Sequence, residues 1–214
     1  MLIPLLASLF YFGAIPGVRV SPGLYLATKL FTLVWPLLCF WGWGRGLVGL
    51  KPAVSRRTRS LGLGAGFGLA IFGLIFLVNV SPLGSWLRQF SPQIAEKIKD
   101  MGMESHYILY AALISTVHAL LEEYYWRWFV YGTLSRLTRF AHLIAGIAFA
   151  AHHVVVLAAY FGLLPGFLLG ACVGIGGMFW SWLYQREGSL LGPWLSHIFV
   201  DAALMTIGYQ WVFV

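Results

Sequence analysis

The segment 120–129, LLEEYYWRWF, places two adjacent carboxylates and an arginine in an apolar part of the chain. An unpaired charge inside a membrane is costly, so such groups either neutralise one another or do chemistry. Glu123 and Arg127 are four residues apart, in the order that favours an ion pair along a helix. Glu122 then points about 100° away around the helix axis, where it can face a cavity. His118 lies one turn earlier on the face of Glu122.

Two later apolar stretches supply histidines and another acid. His152 and His153 are adjacent, and a regular helix should turn only one of them inward. We therefore expect the other to be a neighbour of the site. His197 and Asp201 are four residues apart, so Asp201 can accept a hydrogen bond from His197 and orient its ring.

Glu122, His153 and His197 are predicted to lie at one depth, because each is a similar distance from a basic connection. The offsets are 14 residues to Arg136, 14 from Arg139 and 11 from Arg186, or about 21, 21 and 17 Å along a helix. A carboxylate and a histidine that share a water molecule can activate it. A second histidine can stabilise the resulting oxyanion. The implied reaction is hydrolysis of an amide within the membrane.

The composition indicates an integral membrane protein. Of 214 residues, 60% are hydrophobic and 10% are charged, whereas a soluble domain has about 25% charged residues. There are 14 basic and 7 acidic residues. The basic residues cluster between apolar stretches, which indicates loops facing anionic lipid and no nucleic-acid partner.

Seven stretches approach the roughly 20 apolar residues of a membrane-spanning helix. They predict an all-α fold, a polytopic transmembrane bundle forming one domain over 1–214, with the motif-bearing core at 106–212. The basic connections all fall on one side if the amino terminus is cytoplasmic. The predicted spans are 2–18, 24–44, 61–80, 106–134, 141–159, 163–184 and 189–212.

Segment 82–105 is too charged to span a membrane. Its apolar residues recur at helical spacing, which predicts an amphipathic helix at the interface. A linker and a lid over a substrate entrance remain alternatives. The apolar residues are Trp86, Leu87, Phe90, Ile94 and Ile98.

Glycines four residues apart predict close approach of helices within one bundle, in preference to dimerisation. The pairs are Gly62 with Gly66, Gly64 with Gly68, Gly166 with Gly170, and Gly170 with Gly174.

Three motifs follow one another on these stretches. EEYYWR at 122–127 fits EExxxR, FAAHH at 149–153 fits FxxxH, and HIFVD at 197–201 fits HxxxN/D. Their order and membrane placement resemble the CPBP family of intramembrane proteases, which includes CAAX prenyl endopeptidases and bacteriocin-processing proteins. The resemblance implies a CAAX-endopeptidase-like fold in which Glu122 and His153 activate the attacking water. It also implies that His197 and the residue four positions later stabilise the tetrahedral intermediate.

Asp201 departs from the pattern of the CAAX-processing branch, which typically has Asn there. An amide can donate a hydrogen bond to an oxyanion, whereas an ionised carboxylate cannot. Asp201 is therefore either protonated or orients His197. Two substrate classes therefore stay open. One is prenylated proteins, and the other is proteins with a carboxy-terminal membrane anchor, because divergent bacterial branches resemble sorting proteases that remove such anchors.

The sequence thus predicts a glutamic-type intramembrane endopeptidase without a cofactor. We expect its partners to be the bilayer and a membrane-anchored protein or peptide that carries a carboxy-terminal anchor or a lipid. The expected location is a bacterial inner membrane. The predicted catalytic residues are Glu122, His153, His197 and Asp201, and the supporting residues are Glu123, Arg127, His152 and His118.

Three alternatives use the same residues. Glu122, His153 and His197 could be ligands of a catalytic zinc ion, although HExxH does not occur in the sequence. A chain of acids and histidines in the membrane also suits a transporter or proton-relay subunit. A non-catalytic scaffold is the third alternative.

Overall fold

The chain folds into a bundle of helices. The computed structural model describes residues 2–11, 22–42 and 56–214, and within these ranges it contains helices and no strands. The predicted all-α fold class is therefore confirmed. In chain order the helices are α1 Leu2–Tyr11, α2 Pro22–Gly42, α3 Arg57–Asn79, α4 Pro82–Arg88, α5 Ser91–Asp100, α6 over 107–134, α7 Ala141–Phe161, α8 Leu163–Glu187 and α9 Leu191–Phe213.

Helices α3, α7 and α8 are long and apolar enough to cross a membrane, with 23, 21 and 25 residues. They coincide with the predicted spans 61–80, 141–159 and 163–184. Helix α9 has a similar length of 23 residues and packs against α3. The prediction of an integral membrane protein with transmembrane helices is confirmed.

The first two predicted spans extend beyond the described residues. Within span 2–18, α1 covers Leu2–Tyr11 and the rest lies outside them. Within span 24–44, the structure describes residues up to Gly42, including the apolar helical stretch Leu26–Gly42.

Helix α6 carries the EExxxR motif and is not a regular α-helix. Two π-helical segments, Ile114–His118 and Tyr124–Tyr131, flank the α-helical stretch Ala119–Glu123. Such π turns are frequent at functional sites. Trp194 of α9 donates its indole N–H to the carbonyl oxygen of Thr116, in the first π segment, at 2.9 Å. This bond attaches α9 to α6 close to the motif.

Glycines allow α9 to approach α3 closely. A Cβ atom added to Gly64 of α3 would overlap the carbonyl group of Gly192 in α9, and one added to Gly68 would crowd the backbone of Ser196. Ser60 completes the contact, because its hydroxyl oxygen accepts the backbone N–H of Gly192 at 3.0 Å. Helix α9 is therefore held along α3 on the residues just before His197.

Helices α7 and α8 pack in the same way, so the predicted packing within the bundle is confirmed for three of the four glycine pairs. The contacts join Gly166 to Ala158, Gly170 to Val154 and Gly174 to Ala150. The remaining pair, Gly62 and Gly66, faces away from the described neighbours, because a Cβ atom there would meet no heavy atom within 4 Å.

Segment 82–105 forms the two short helices α4 and α5, as the helical spacing predicted. Leu87, Ile94 and Ile98 are buried, and the last two join a cluster with Phe161 of α7 and Trp211 of α9. The segment therefore packs across the ends of the helices that carry the histidines. Whether it acts as a lid stays a prediction.

Candidate active site

Glu122 lies at the centre of a buried polar cluster built by four helices. Its carboxylate has two unlike sides. On one side, Oε1 lies 3.2 Å from Nε2 of His118 on the same helix and 3.5 Å from Nε2 of His152 on α7. Nζ of Lys29 on α2 is 4.0 Å from the same oxygen. Three nitrogens therefore surround Oε1.

The other oxygen of Glu122 faces two histidines at longer range. Oε2 lies 3.9 Å from Nε2 of His153 and 4.0 Å from Nε2 of His197. It is buried and accepts no direct hydrogen bond from the described residues. The two oxygens are thus differentiated, since Oε1 is contacted closely and Oε2 opens toward the predicted catalytic histidines.

Glu123 links His197 to Arg127. Its Oε1 lies 2.8 Å from Nδ1 of His197, and its Oε2 lies 3.1 Å from Nε of Arg127. All three side chains are buried. Because an ionised carboxylate only accepts hydrogen bonds, Nδ1 of His197 carries its hydrogen toward Glu123. This leaves Nε2 of His197 facing Oε2 of Glu122.

Aromatic rings enclose the charged pair and the ring of His197. The guanidinium of Arg127 lies 4.3 Å from the centre of the Phe149 ring and 4.9 Å from that of Trp180. The ring of Trp180 also stacks on His197, with centres 4.3 Å apart and planes at 20°. Cation–π contacts of this kind stabilise a desolvated guanidinium. The orientation of His197 is therefore set by both a hydrogen bond and ring packing.

The structure brings together the residues that the sequence predicted for the site, with two corrections. Glu123, and not Asp201, makes the short hydrogen bond that orients His197, because Oδ1 of Asp201 is 3.6 Å from Nε2 of that ring. The expectation that only one of His152 and His153 faces the site is also wrong. Adjacent side chains differ by about 100° in direction, and Glu122 lies between those directions.

Lys29 belongs to this cluster, and the sequence analysis did not single it out. Its side chain is 19% exposed and reaches Glu122 from α2. The sequence alone could have identified Lys29 as a candidate, because it is the lone charged residue within the apolar stretch 24–44. Intramembrane charges are functional candidates by default.

The same cluster could hold a metal ion, although with a different ligand set from the predicted one. Glu122, His152 and His153 each offer a ligand atom, and these atoms lie within 4.8 Å of one another. Zinc bonds of about 2.0–2.2 Å to nitrogen and oxygen require ligand atoms to approach to about 3.3 Å. The three residues would therefore have to move closer together to hold a zinc ion. His197 is not part of this group.

A comparison with protein-family models found a match in the part of the chain that carries the site. The model described as Rce1-like, type II CAAX prenyl endopeptidase, matches residues 104–203. Residues 104–203, called the Rce1-like segment below, are similar to that family. The resemblance noted in the sequence is thereby confirmed, and the match indicates a protease, that is, a hydrolase. A search of curated proteins and a search of solved structures each found no match to the chain.

The Rce1-like segment contains the three motifs and every predicted site residue, from His118 to Asp201. Helices α1 to α5 precede it. The match therefore does not extend to Lys29, and the contribution of that residue comes from the structure alone.

Proposed function

We propose that this protein is an intramembrane endopeptidase of the glutamic type, in which Glu122 activates a water molecule for attack on a peptide bond. One observation carries the proposal, namely the unequal surroundings of the two Glu122 oxygens. Oε1 is contacted by three nitrogens, while Oε2 faces His153 and His197 at 3.9 and 4.0 Å. One water molecule can bridge such a gap with hydrogen bonds of ordinary length.

The tautomer of His153 supports a water at this position. Its Nδ1 lies 2.9 Å from the carbonyl oxygen of Phe149. A carbonyl only accepts, so Nδ1 carries the hydrogen and Nε2 of the neutral ring keeps a lone pair. A water between Glu122 and His153 can then donate one hydrogen to Oε2 and the other to Nε2. Both donations direct an oxygen lone pair outward, toward a substrate carbonyl.

The reaction proceeds in two proton transfers. Oε2 of Glu122 takes a proton from the water as its oxygen bonds to the peptide carbon, and the carbonyl oxygen becomes an oxyanion. His197, when protonated, can donate from Nε2 to that oxyanion, and Glu122, Glu123 and Asp201 surround its positive charge. As the carbon–nitrogen bond breaks, the protonated Glu122 returns its proton to the leaving amine.

The substrate we propose is a membrane-anchored protein or peptide. The cluster lies among helices that are long and apolar enough to span a bilayer, so a substrate that is already anchored there reaches it at the least cost. The description of the matching family supports a prenylated carboxy-terminal anchor. Asp201, which stands where CAAX-processing relatives typically have Asn, leaves a non-prenylated anchor as the second class to be tested.

Cleavage of anchored peptides tests the proposal. The purified protein in detergent is given fluorogenic peptides of two kinds, one farnesylated near its carboxy terminus and one ending in an apolar helix. Wild type is compared with Glu122→Gln and, as a matched control, with Glu104→Gln, which alters an exposed acid. We expect Glu122→Gln to abolish cleavage, Glu104→Gln to preserve it, and a chelator to have no effect. Full activity of Glu122→Gln would refute the proposal.

A zinc-dependent protease is the second candidate, favoured by the proximity of Glu122, His152 and His153. It predicts that a chelator abolishes cleavage and that added zinc restores it. In that case Glu122→Gln would also lower the zinc content of the purified protein. Metal analysis of wild type and variant therefore separates the two mechanisms.

A further inference from the structure

Lys29 reaches the proposed catalytic carboxylate from outside the Rce1-like segment. Its Nζ lies 4.0 Å from Oε1 of Glu122, and 19% of its side chain is exposed. A lysine among apolar helices is stable where an acid or a polar cavity receives its ammonium group. The neighbouring Thr28 and Thr32 are buried, and together with Lys29 they line a small cavity that reaches Glu122 and His152.

The position of Lys29 is fixed by further contacts between α2 and α6. The hydroxyl of Tyr124 donates to the carbonyl oxygen of Leu33 at 3.2 Å. The rings of Phe40 and Trp128 lie 5.8 Å apart, centre to centre. Residues 29, 33 and 40 recur at intervals that place them on one face of a helix. Lys29 is therefore part of a continuous contact face, along which α2 and α6 run in the same direction.

The charges around Glu122 show what this ammonium group adds. On α6, Glu123 is paired with Arg127, and on α9, Asp201 lies beside His197. The other groups that contact Oε1 are His118 and His152, which hold the oxygen by hydrogen bonding or charge only in a suitable tautomer or protonation state. At 4.0 Å the ammonium group attracts the oxygen by charge, and this attraction does not depend on a tautomer.

We propose that Lys29 is a positioning residue for peptide hydrolysis, which holds Oε1 of Glu122 so that Oε2 is directed at the water shared with His153. This inference rests on the proposed function. It assigns a part in positioning Glu122 to helix α2, which lies outside the Rce1-like segment. Lys29 contacts neither the water nor the substrate in this scheme, and it acts through the orientation of Glu122.

Three variants of the full chain in detergent test the inference. Lys29→Met removes the charge, Lys29→Arg keeps it, and Leu30→Ala changes an adjacent exposed residue of α2. The probe is whichever of the two anchored fluorogenic peptides wild type cleaves. We expect Lys29→Met to lower kcat on the order of 10- to 100-fold, as misplacement of a catalytic group does, with KM within about twofold of wild type. Lys29→Arg should recover most of the loss because it keeps the positive charge. Recovery should be incomplete because the guanidinium is planar and does not have the shape of an ammonium group. Leu30→Ala should match wild type.

A purely structural role for Lys29 gives different results. It predicts that Lys29→Met lowers the thermal unfolding temperature while the folded fraction keeps the wild-type kcat, and this outcome would overturn the inference. If Lys29→Met does not fold, Lys29→Gln takes its place. If neither neutral variant folds and Lys29→Arg is fully active, Lys29 contributes to stability alone. This outcome would also overturn the inference.

The parallel Glu122→Gln variant keeps this inference separate from the proposed function. Loss of activity in Glu122→Gln with full activity in a folded Lys29→Met leaves the function standing and removes the role of Lys29. Full activity in Glu122→Gln removes the function itself, and the role of Lys29 with it.

Discussion

Glu123 holds the ring of His197, with Oε1 2.8 Å from Nδ1 and both side chains buried. The other oxygen of the same carboxylate contacts Arg127. One acid therefore joins the arginine of the EExxxR motif to the histidine of the HxxxD motif. The two glutamates of the first motif have separate tasks, because Glu122 faces the proposed water and Glu123 orients the histidine opposite.

Glu123→Gln tests this division of tasks. The amide keeps the size of the side chain, but it can present its NH₂ group to Nδ1 and favour the wrong tautomer of His197. We expect kcat to fall on the order of 10²- to 10³-fold, the cost of losing one oxyanion donor, with KM little changed. The measurement is steady-state cleavage of the anchored peptide by protein that elutes as a folded species. Wild-type kcat in that variant would show that Glu123 serves only the ion pair with Arg127.

His153→Ala and His152→Ala should differ in effect, although both rings approach Glu122. His153 faces Oε2, whereas His152 contacts Oε1 and stacks on Trp126, with centres 5.4 Å apart and planes at 2°. We expect His153→Ala to lower kcat at least about 100-fold, and His152→Ala to lower it on the order of tenfold. The two variants serve as controls for one another in the same cleavage assay. A larger loss in His152→Ala would mean that the assignment of the two oxygens is reversed.

Asp201→Asn tests the departure from the family pattern. Oδ1 of Asp201 lies 3.6 Å from Nε2 of His197, so it is close to the place where the oxyanion would form. An amide there can donate a hydrogen bond that an ionised carboxylate cannot. We expect Asp201→Asn to retain activity and to raise kcat by up to several-fold at neutral pH. Complete loss of cleavage would show that this chain needs the carboxylate itself, and the measurement is kcat for both classes of anchored peptide.

The parts of the site that follow helical periodicity were predictable from the sequence. The pairing of Glu123 with Arg127 is a contact four residues apart within one helix, and local spacing is enough to predict it. The approach of Glu122, His153 and His197 was also predictable, because apolar spans of known rise place residues at a calculable depth. These relationships depend on spacing within one helix or on distance along a helix axis.

Contacts that depend on the rotation of one helix against another were not predictable in this way. The depth of a residue in the membrane does not determine which acid orients His197. The sequence therefore favours Asp201, four residues away, over Glu123, which is 74 residues away. The π-helical segments of α6 add to the difficulty, because they change the angle per residue that the spacing argument assumed. Lys29 stands out in the sequence as the lone charge of the stretch 24–44, but its contact with Glu122 depends on the packing of α2 on α6.

The packing of α9 against α3 holds His197 in place. Gly64 and Gly66 are on the same helix, but only Gly64 meets a neighbour, the carbonyl group of Gly192. Gly64→Ala forces the helices apart at a cost of about 1–3 kcal/mol, and because His197 lies on α9, we expect it to lower both the thermal unfolding temperature and kcat. Among the residues that the structure describes, none has an atom within 4 Å of a Cβ atom at Gly66. Gly66→Ala also gains helix propensity, so it should leave kcat unchanged and unfold at the same temperature or higher. Thermal unfolding of both variants in one detergent is the measurement, and equal unfolding temperatures would contradict the close contact between α3 and α9.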